Sequence, residues 1–439
     1  MRKFTAMALC VAMIASVFTG CAGNSTASSS SAGGAASTAA STAASEAASS
    51  ESASPVTLKL MLNSPELSEQ YKAMAAEYKK VKPEITLDMT IVQNDYQTVL
   101  KSKLNSGEVP DLFMSSAYND NRVYSDYSYD LTNEDFMKNM DPSFLKGVTL
   151  DGKVTGYPFL VQSHSFIYNK KIFKDAGITE LPTTLDGYKQ VCEKLTAKGI
   201  QPFSSGFAEW WVLPQMTYPS MSDANNGDYT SLFADIKSGK TKFGDLPQVD
   251  FTLDLIDLVK KYSGKKPMES TADIQCSDFA NGKVAMIHQG SWEEDSIRKI
   301  NKDVEMGYLE APRKDGKSTI AVDSNLTMRV SKDSKNLKEV LALLNWLTTS
   351  DYGKNWIPGV IKQMSPQKGS ASPDTQLAKE TATAISNSKT SQWWIFSGPD
   401  GIEQPFGTAF QNYAAGTANR QQTKDALTKV FVDAYNAES

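Results

Sequence analysis

Residues 56–62, Val-Thr-Leu-Lys-Leu-Met-Leu, alternate apolar and polar positions and predict a strand. Ser64-Pro65-Glu66 follows, a serine suited to cap a helix before a proline at the first helical position. Leu67, Tyr71, Met74 and Tyr78 then recur at helical spacing and predict a helix over 65–83. Residues 85–92 predict a second strand, 96–105 a second helix ended by Gly107, and 111–114 a third strand. Strands and helices alternating in this order form a parallel sheet with right-handed crossovers. Ligands on such sheets bind beyond the carboxyl ends of the strands, which places residues 63–66 and 115–120 at the rim of a cleft.

The same style resumes after Ser163. Strands are predicted over 166–169, 200–204, 284–288, 305–309 and 320–330, and helices over 185–198, 337–347 and 419–437. Phe251, Leu255, Leu258, Val259 and Tyr262 form the apolar stripe of one more helix. Ser291 and Glu294 have the spacing of a capping box, which would put Trp292 on the first turn of a helix. The chain therefore reads as α/β, with two lobes.

The length of 439 residues agrees, since it exceeds one ordinary domain two- or threefold. A formal charge of −5 supplies no basic excess for phosphates, so no nucleic-acid partner is expected. Two histidines and four cysteines leave little for a zinc, haem or iron–sulfur site, and no metal or cofactor is expected. Four cysteines are also too few for a disulfide scaffold; Cys192 and Cys276 could bridge, but free buried thiols are the expectation. His164 and His288 stand isolated in the sequence and read as structural residues on strands.

The N-terminus reads as an address. Arg2 and Lys3 precede an uncharged run from Phe4 to Phe18, which ends in Thr19-Gly20-Cys21. Fifteen helical residues span roughly 22 Å, short of the ~30 Å hydrocarbon core of a bilayer. Phe18-Thr19-Gly20-Cys21 resembles the lipobox of bacterial lipoproteins, with Phe18 where leucine is usual. The resemblance implies a signal peptide over 1–20 and acylation of Cys21. Of the 33 residues between Ala22 and Ser54, 27 are Ala, Ser or Thr, so 21–55 reads as a flexible tether. A lipid-anchored protein at the outer face of the cytoplasmic membrane is the expectation.

Three segments carry a further resemblance. Gly156-Tyr157-Pro158-Phe159 with Ser165-Phe166-Ile167-Tyr168-Asn169-Lys170 is similar to the crossover after the first lobe of family 1 extracellular solute-binding proteins. Phe279-Ala280-Asn281-Gly282-Lys283-Val284-Ala285-Met286, with Gly290-Ser291-Trp292, resembles a second segment of that family. Val330-Ser331-Lys332-Asp333-Ser334-Lys335-Asn336 and the helix after it resemble a third. The resemblance implies a two-lobed periplasmic-binding-protein-like fold, each lobe a mostly parallel sheet flanked by helices, joined by a three-segment hinge. The implied lobes are 56–160 with 312–360 and 161–311 with 361–439, with crossings near 158–162, 310–314 and 358–366. The implied function is that of a monomeric receptor that hands oligosaccharides to the permease of an ABC importer.

The residues suit a sugar. A pyranose offers an apolar C–H face to an aromatic plane and a rim of hydroxyls to carboxylates and amides. Five of the seven tryptophans, Trp210, Trp211, Trp292, Trp393 and Trp394, are clustered in the sequence. Adjacent side chains diverge, so one member of each doublet can face a cleft while the other packs inward. Trp346 falls on a core stripe, and Trp356 fits either role. Trp292 sits where the family commonly stacks on sugar. Asn119 and Asp120 follow the third strand, and Asp323 interrupts a β-run; these are the hydroxyl-binding candidates. Glu66 and Glu293 are weaker ones, because a helix start attracts acids anyway. α-Galactosides, maltodextrins and xylo-oligosaccharides all remain open as ligands. So do two rival classes, a secreted carbohydrate-active enzyme and a receptor for a polyamine or phosphate ester. No Gly-x-Ser-x-Gly, Walker or His-Glu-x-x-His motif supports catalysis, and Gly398-Pro399-Asp400-Gly401 is a turn signal.

Overall fold

The computed structural model describes residues 54–92 and 95–437. The signal peptide, Cys21 and the tether lie outside the described residues, apart from the tether's last two positions.

Strand Val56–Leu62 pairs in parallel with Ile85–Ile91 on one side and Leu112–Ser116 on the other. The helices Ser68–Val81 and Tyr96–Ser106 connect them, the second ending at Gly107 with φ 79°. Ser64 does not cap the first: it lies in the left-handed region at φ 66°, and residues Pro65–Leu67 form a 3-10 turn. The expected helix therefore starts three residues late.

The larger departure is the length of two strands. Tyr157–Asn169 and Ser318–Val330 each run thirteen residues. They pair antiparallel to each other, Ala321 opposite His164 and Met328 opposite Tyr157. At one end Ser318–Val330 pairs with Leu112–Ser116; at the other Tyr157–Asn169 pairs with Val284–Gly290 and Met306–Leu309. One ten-stranded sheet thus runs through both lobes. The parallel pairings lie toward its outer strands, Gln201–Ser204 with Val284–Gly290 in the second lobe. The two long strands add antiparallel ones, because a chain that crosses and returns traverses the sheet in opposite directions.

Side chains sort along these strands into separate cores. Tyr157, Phe159 and Leu160 join Leu58, Tyr71, Phe113, Met328 and Trp356 in the first lobe. Further along the same strand, Phe166 and Ile167 fall into the two cores on opposite faces of the second lobe. A strand buried on both faces loses its apolar–polar alternation, so only 166–169 was legible as strand. Ile320 and Ala321 belong to the second lobe and Met328 to the first. The strand passes from the cores of Ile320 and Ala321 to that of Met328, and its register shifts on the way, between Asp323 and Thr327. A bulge frees the strand from regular pairing and bends it, which suits a crossing. Val161, within the first expected crossing, forms an isolated antiparallel bridge with Met364, within the third.

The expected capping box is absent. Ser291 donates its hydroxyl to Gln363 Oε1 (2.6 Å), and Ser291–Glu293 is a 3-10 turn. The Glu294 carboxylate instead accepts from the backbone N–H groups of Gln376 and Leu377 (2.9 and 2.8 Å), holding the start of helix Gln376–Ser386. Local spacing matched the motif, but the tertiary partner won. Cys192 and Cys276 are free and buried.

Candidate functional site

Four loops meet where strands end: 117–121 after Leu112–Ser116, 205–211 after Gln201–Ser204, 291–293 after Val284–Gly290, and 392–397. The bulge at Asp323 lies among them. Trp292 is the centre. Its ring meets Trp211 edge-on (centroids 6.4 Å, 65°) and Trp393 likewise (6.0 Å, 78°). Trp393 in turn stacks on Tyr218 (5.5 Å, 27°). Trp292 keeps part of its surface exposed, as do Trp210 and Trp211.

The Trp292 indole is fixed from below. A Cβ built on Gly290 would lie 2.0 Å from Trp292 Cζ3, so the six-membered ring rests on the glycine backbone. Beneath it the His164 ring runs parallel at 6.1 Å and 6°. His164 and His288 are not isolated: Nε2 of one lies 3.3 Å from Nδ1 of the other. Burial holds His164 well below the usual imidazole range and His288 down to about 3, so both are neutral packing groups under the indole. Gly290→Ala is expected to lift the indole off this floor. Its intrinsic fluorescence should change, and ligand affinity should fall about tenfold, as one misplaced aromatic contact costs on the order of 1–1.5 kcal/mol. Unchanged fluorescence and affinity would refute this account of Trp292.

Each doublet divides. Trp394 is fully buried among Phe243, Phe406 and Phe431, with Nε1 donating to Thr217 Oγ1 (2.9 Å), so it belongs to the core and not to the cleft. Trp393 has 4% of its surface exposed, and its Nε1 has no partner among the described residues. Trp211 faces Trp292, whereas the Trp210 backbone lies close against Gly407 of helix Glu403–Ala415. Trp356 is core, packed at a tilt against Tyr71 and Phe159, and Trp346 packs on Tyr78 and Tyr352.

Asn119, Asp120 and Asp323 are buried rather than solvated, Glu293 is half-buried and Glu66 is exposed. Asp323 accepts from Tyr118 Oη (2.9 Å), the Ser324 N–H (2.8 Å) and the Trp393 N–H (3.3 Å). Burial still pushes it up to about 6. Asp120 accepts from the Ser116 N–H at 2.6 Å; burial, opposed by the nearby Arg329 charge, leaves it at about 6. Asn119 links its N–H to Phe396 O (3.0 Å) and accepts from Arg122 (2.6 Å), tying the 117–121 loop to the 392–397 segment. Glu293 accepts a thiol hydrogen bond from Cys276 (3.1 Å) and is pushed up to about 7, first by burial and also by the charge of Glu66. Glu66 is itself raised by the protein around it although its surface remains accessible.

Three residues of this region were not singled out in the sequence. Tyr118, at φ 60°, reaches Asp323; Tyr218 backs Trp393; and half-buried Glu403, pushed up to about 7 by burial and by Asp120, opens helix Glu403–Ala415. Glu403 alone had a signal, an acid just beyond a Gly-Pro-Asp-Gly turn. Among the described residues no group of three His, Cys, Asp or Glu side chains could hold a metal ion, and no helix is long and apolar enough to cross a membrane.

This geometry has known counterparts. A model of the bacterial extracellular solute-binding protein family matches residues 64–354. The multiple sugar-binding protein of Streptococcus mutans is 26% identical over 395 residues, 86% of this chain and 90% of that protein. The melibiose/raffinose/stachyose-binding protein of Bacillus subtilis is 24% identical over 304 residues, 65% and 68% of the two chains. The solved structure of the solute-binding protein RafE in complex with raffinose shares the fold at a TM-score of 0.76 and 21% identity, covering 87% of this chain and 100% of that one. With two lobes joined by long shared strands and a family match over most of its length, the chain belongs to the bacterial extracellular solute-binding proteins.

Proposed function

We propose that this protein is the capture component of an ABC importer, taking up an oligosaccharide between its lobes and presenting it to the permease. The observation that carries the reading is Trp292, partly exposed, held by Gly290 and His164 and flanked by Trp211 and Trp393, with the Asp323 carboxylate on the backbone of Trp393 and Glu293 next in sequence. An indole with acids around it matches the two chemistries of a pyranose, its apolar face and its hydroxyl rim. The relatives named for multiple sugars and for raffinose support oligosaccharides, with α-galactosides first and maltodextrins and xylo-oligosaccharides behind. Trp292, Trp393, Trp211 and Trp210 would stack; Asn119, Asp120, Asp323, Glu66 and Glu293 would bind hydroxyls.

The lobes would be 56–160 with the stretch from about 326 to 360, and 161 to about 322 with 361–439. They would close by bending at the three crossings. Acylation of Cys21 and the 21–55 tether would keep a monomer at the outer membrane face, raising its concentration near the permease. A binding role also suits the acids better than hydrolysis. Three protein donors already engage Asp323, whereas a glycosidase needs two carboxyl groups free to flank one bond.

A thermal-shift and calorimetric screen over di- to tetrasaccharides tests the reading, because a ligand bound only to the native state raises its melting temperature. Acidity supplies a second signature. Asp120 and Asp323 titrate near 6, and Glu293 and Glu403 near 7. All four are raised above their unfolded values. In the free protein they therefore contribute stability that is present below pH 4 and lost as pH rises to 7. Sugar hydroxyls donate to the ionised form, so binding should release protons and weaken as pH falls from 8 to 5.5, by about tenfold per group that must ionise per pH unit below its value. No ligand in the screen, or shortened products from labelled oligosaccharides, would overturn the proposal.

A further inference from the structure

We propose that the cleft selects by charge as well as shape: neutral and amine-bearing oligosaccharides are captured, and those carrying a carboxylate or phosphate are refused. The inference rests on the carbohydrate reading above and adds the class of sugar to it. Carboxyl groups gather on and behind the loops that carry the aromatic cluster: Asp120 on the Ser116 N–H, Glu293 on Cys276 and Asp323 on the Trp393 N–H. Glu66 of the first lobe lies close enough to Glu293 of the second for their charges to interact. Asp323 lies behind Trp393, whose backbone N–H it accepts. Asp120 and Glu403 interact in the same way where the 117–121 loop meets helix Glu403–Ala415.

The cations nearby are already committed. Lys101 pairs with Asp400 at 2.5 Å. Lys299 and Lys362 both pair with Asp295, at 3.0 and 3.3 Å. Arg329 is fully buried, and its guanidinium donates to Ser115, Ser116, Asn121 and Thr155. Arg122 is exposed to water, where its charge is screened, and spends a donor on Asn119. Trp393 Nε1, a buried donor without a partner among the described residues, is neutral and suits a hydroxyl oxygen. An anionic sugar would thus bring its charge into a poorly screened space beside like charges with no cation to receive it. One such contact at about 5 Å, at an effective dielectric constant near 20, corresponds to on the order of a hundredfold in affinity. An amine would meet the same acids with the opposite sign.

The test is calorimetric titration of the full chain at pH 8, where the cleft acids are ionised. Raffinose, stachyose and maltotriose are titrated first. The tightest is then compared with the same sugar oxidised to a carboxylate at one C6 and with the same sugar bearing an amine there. The carboxylate form should bind at least a hundredfold more weakly and the amine form at least as tightly as the neutral sugar. In the Glu293→Gln, Glu403→Gln double variant the gap between neutral and carboxylate forms should shrink at least tenfold. A carboxylate form within threefold of the neutral sugar, an amine form weaker than it, or an unchanged gap in the variant overturns the inference while leaving the carbohydrate reading intact. Silence from all three neutral sugars overturns both.

Discussion

Trp292→Ala is expected to weaken the best oligosaccharide ligand by about 10- to 100-fold, while the protein still folds. The indole keeps part of its surface exposed beside Trp211 and Trp393, and that surface is available to a ring. Covering some 60–80 Å² of apolar surface is worth about 1.5–2 kcal/mol, and aromatic packing adds roughly 0.5–1 kcal/mol. Together these give the stated range. Folding should survive because the residue is only partly buried and sits at the edge of the second lobe's core, not within it. Trp394→Ala makes the contrast. That ring is fully enclosed among phenylalanines, so its loss should cost about 3–5 kcal/mol of stability through the cavity it leaves. Calorimetry and urea unfolding of both variants would separate the roles. Wild-type affinity in Trp292→Ala would return that residue to simple packing.

Arg329→Met is expected to cost about 3–5 kcal/mol of native stability, a large fraction of what most proteins possess. The guanidinium is fully buried on strand Ser318–Val330. It donates to the Ser115 hydroxyl (2.6 Å), the Thr155 carbonyl and hydroxyl (3.0 Å each), the Ser116 carbonyl (3.1 Å) and Asn121 Oδ1 (2.8 Å). It thereby ties the end of strand Leu112–Ser116 to Asn121 on one side and Thr155 on the other. Burial lowers it only to about 10, so it is charged at neutral pH, and it restrains the rise of Asp120. Methionine fills similar volume but leaves these acceptors without donors, and an unpaired buried group costs more than a made bond gains. Lysine should rescue little, since three donors on a point charge cannot serve the positions of a planar fork. Removing the cation should also raise Asp120 further, so ligand affinity should fall off at a higher pH than in the wild type. Urea unfolding measures the first effect and titration at several pH values the second. A stability loss under about 1 kcal/mol would show that the network relaxes without its cation.

Much of this was legible along the chain. The alternation in 56–62, the stripe Leu67, Tyr71, Met74 and Tyr78, and Gly107 at its helix end set the first lobe's strands and helices to within a few residues. These are local signals, carried by neighbours three, four or two positions apart. The abundance of paired tryptophans beside acids was also plain, and it pointed to carbohydrate before any contact was known.

Tertiary structure alone decided the rest, in each case because the partner is distant in sequence. Ser291 and Glu294 had capping-box spacing, yet Gln363 and the start of helix Gln376–Ser386, some 70 to 80 positions on, took their hydrogen bonds. Tyr157–Asn169 lost its alternation because cores cover both faces, so the strand that joins the lobes was half hidden. Adjacent tryptophans share one local signature, and only the surrounding phenylalanines drew Trp394 inward and left Trp393 beside Trp292. The two histidines look solitary 124 positions apart and meet only because antiparallel strands bring them face to face. Residue type and spacing settle what a segment can form; which side chains share a cleft depends on how strands from different lobes are registered, and that is a property of the folded sheet.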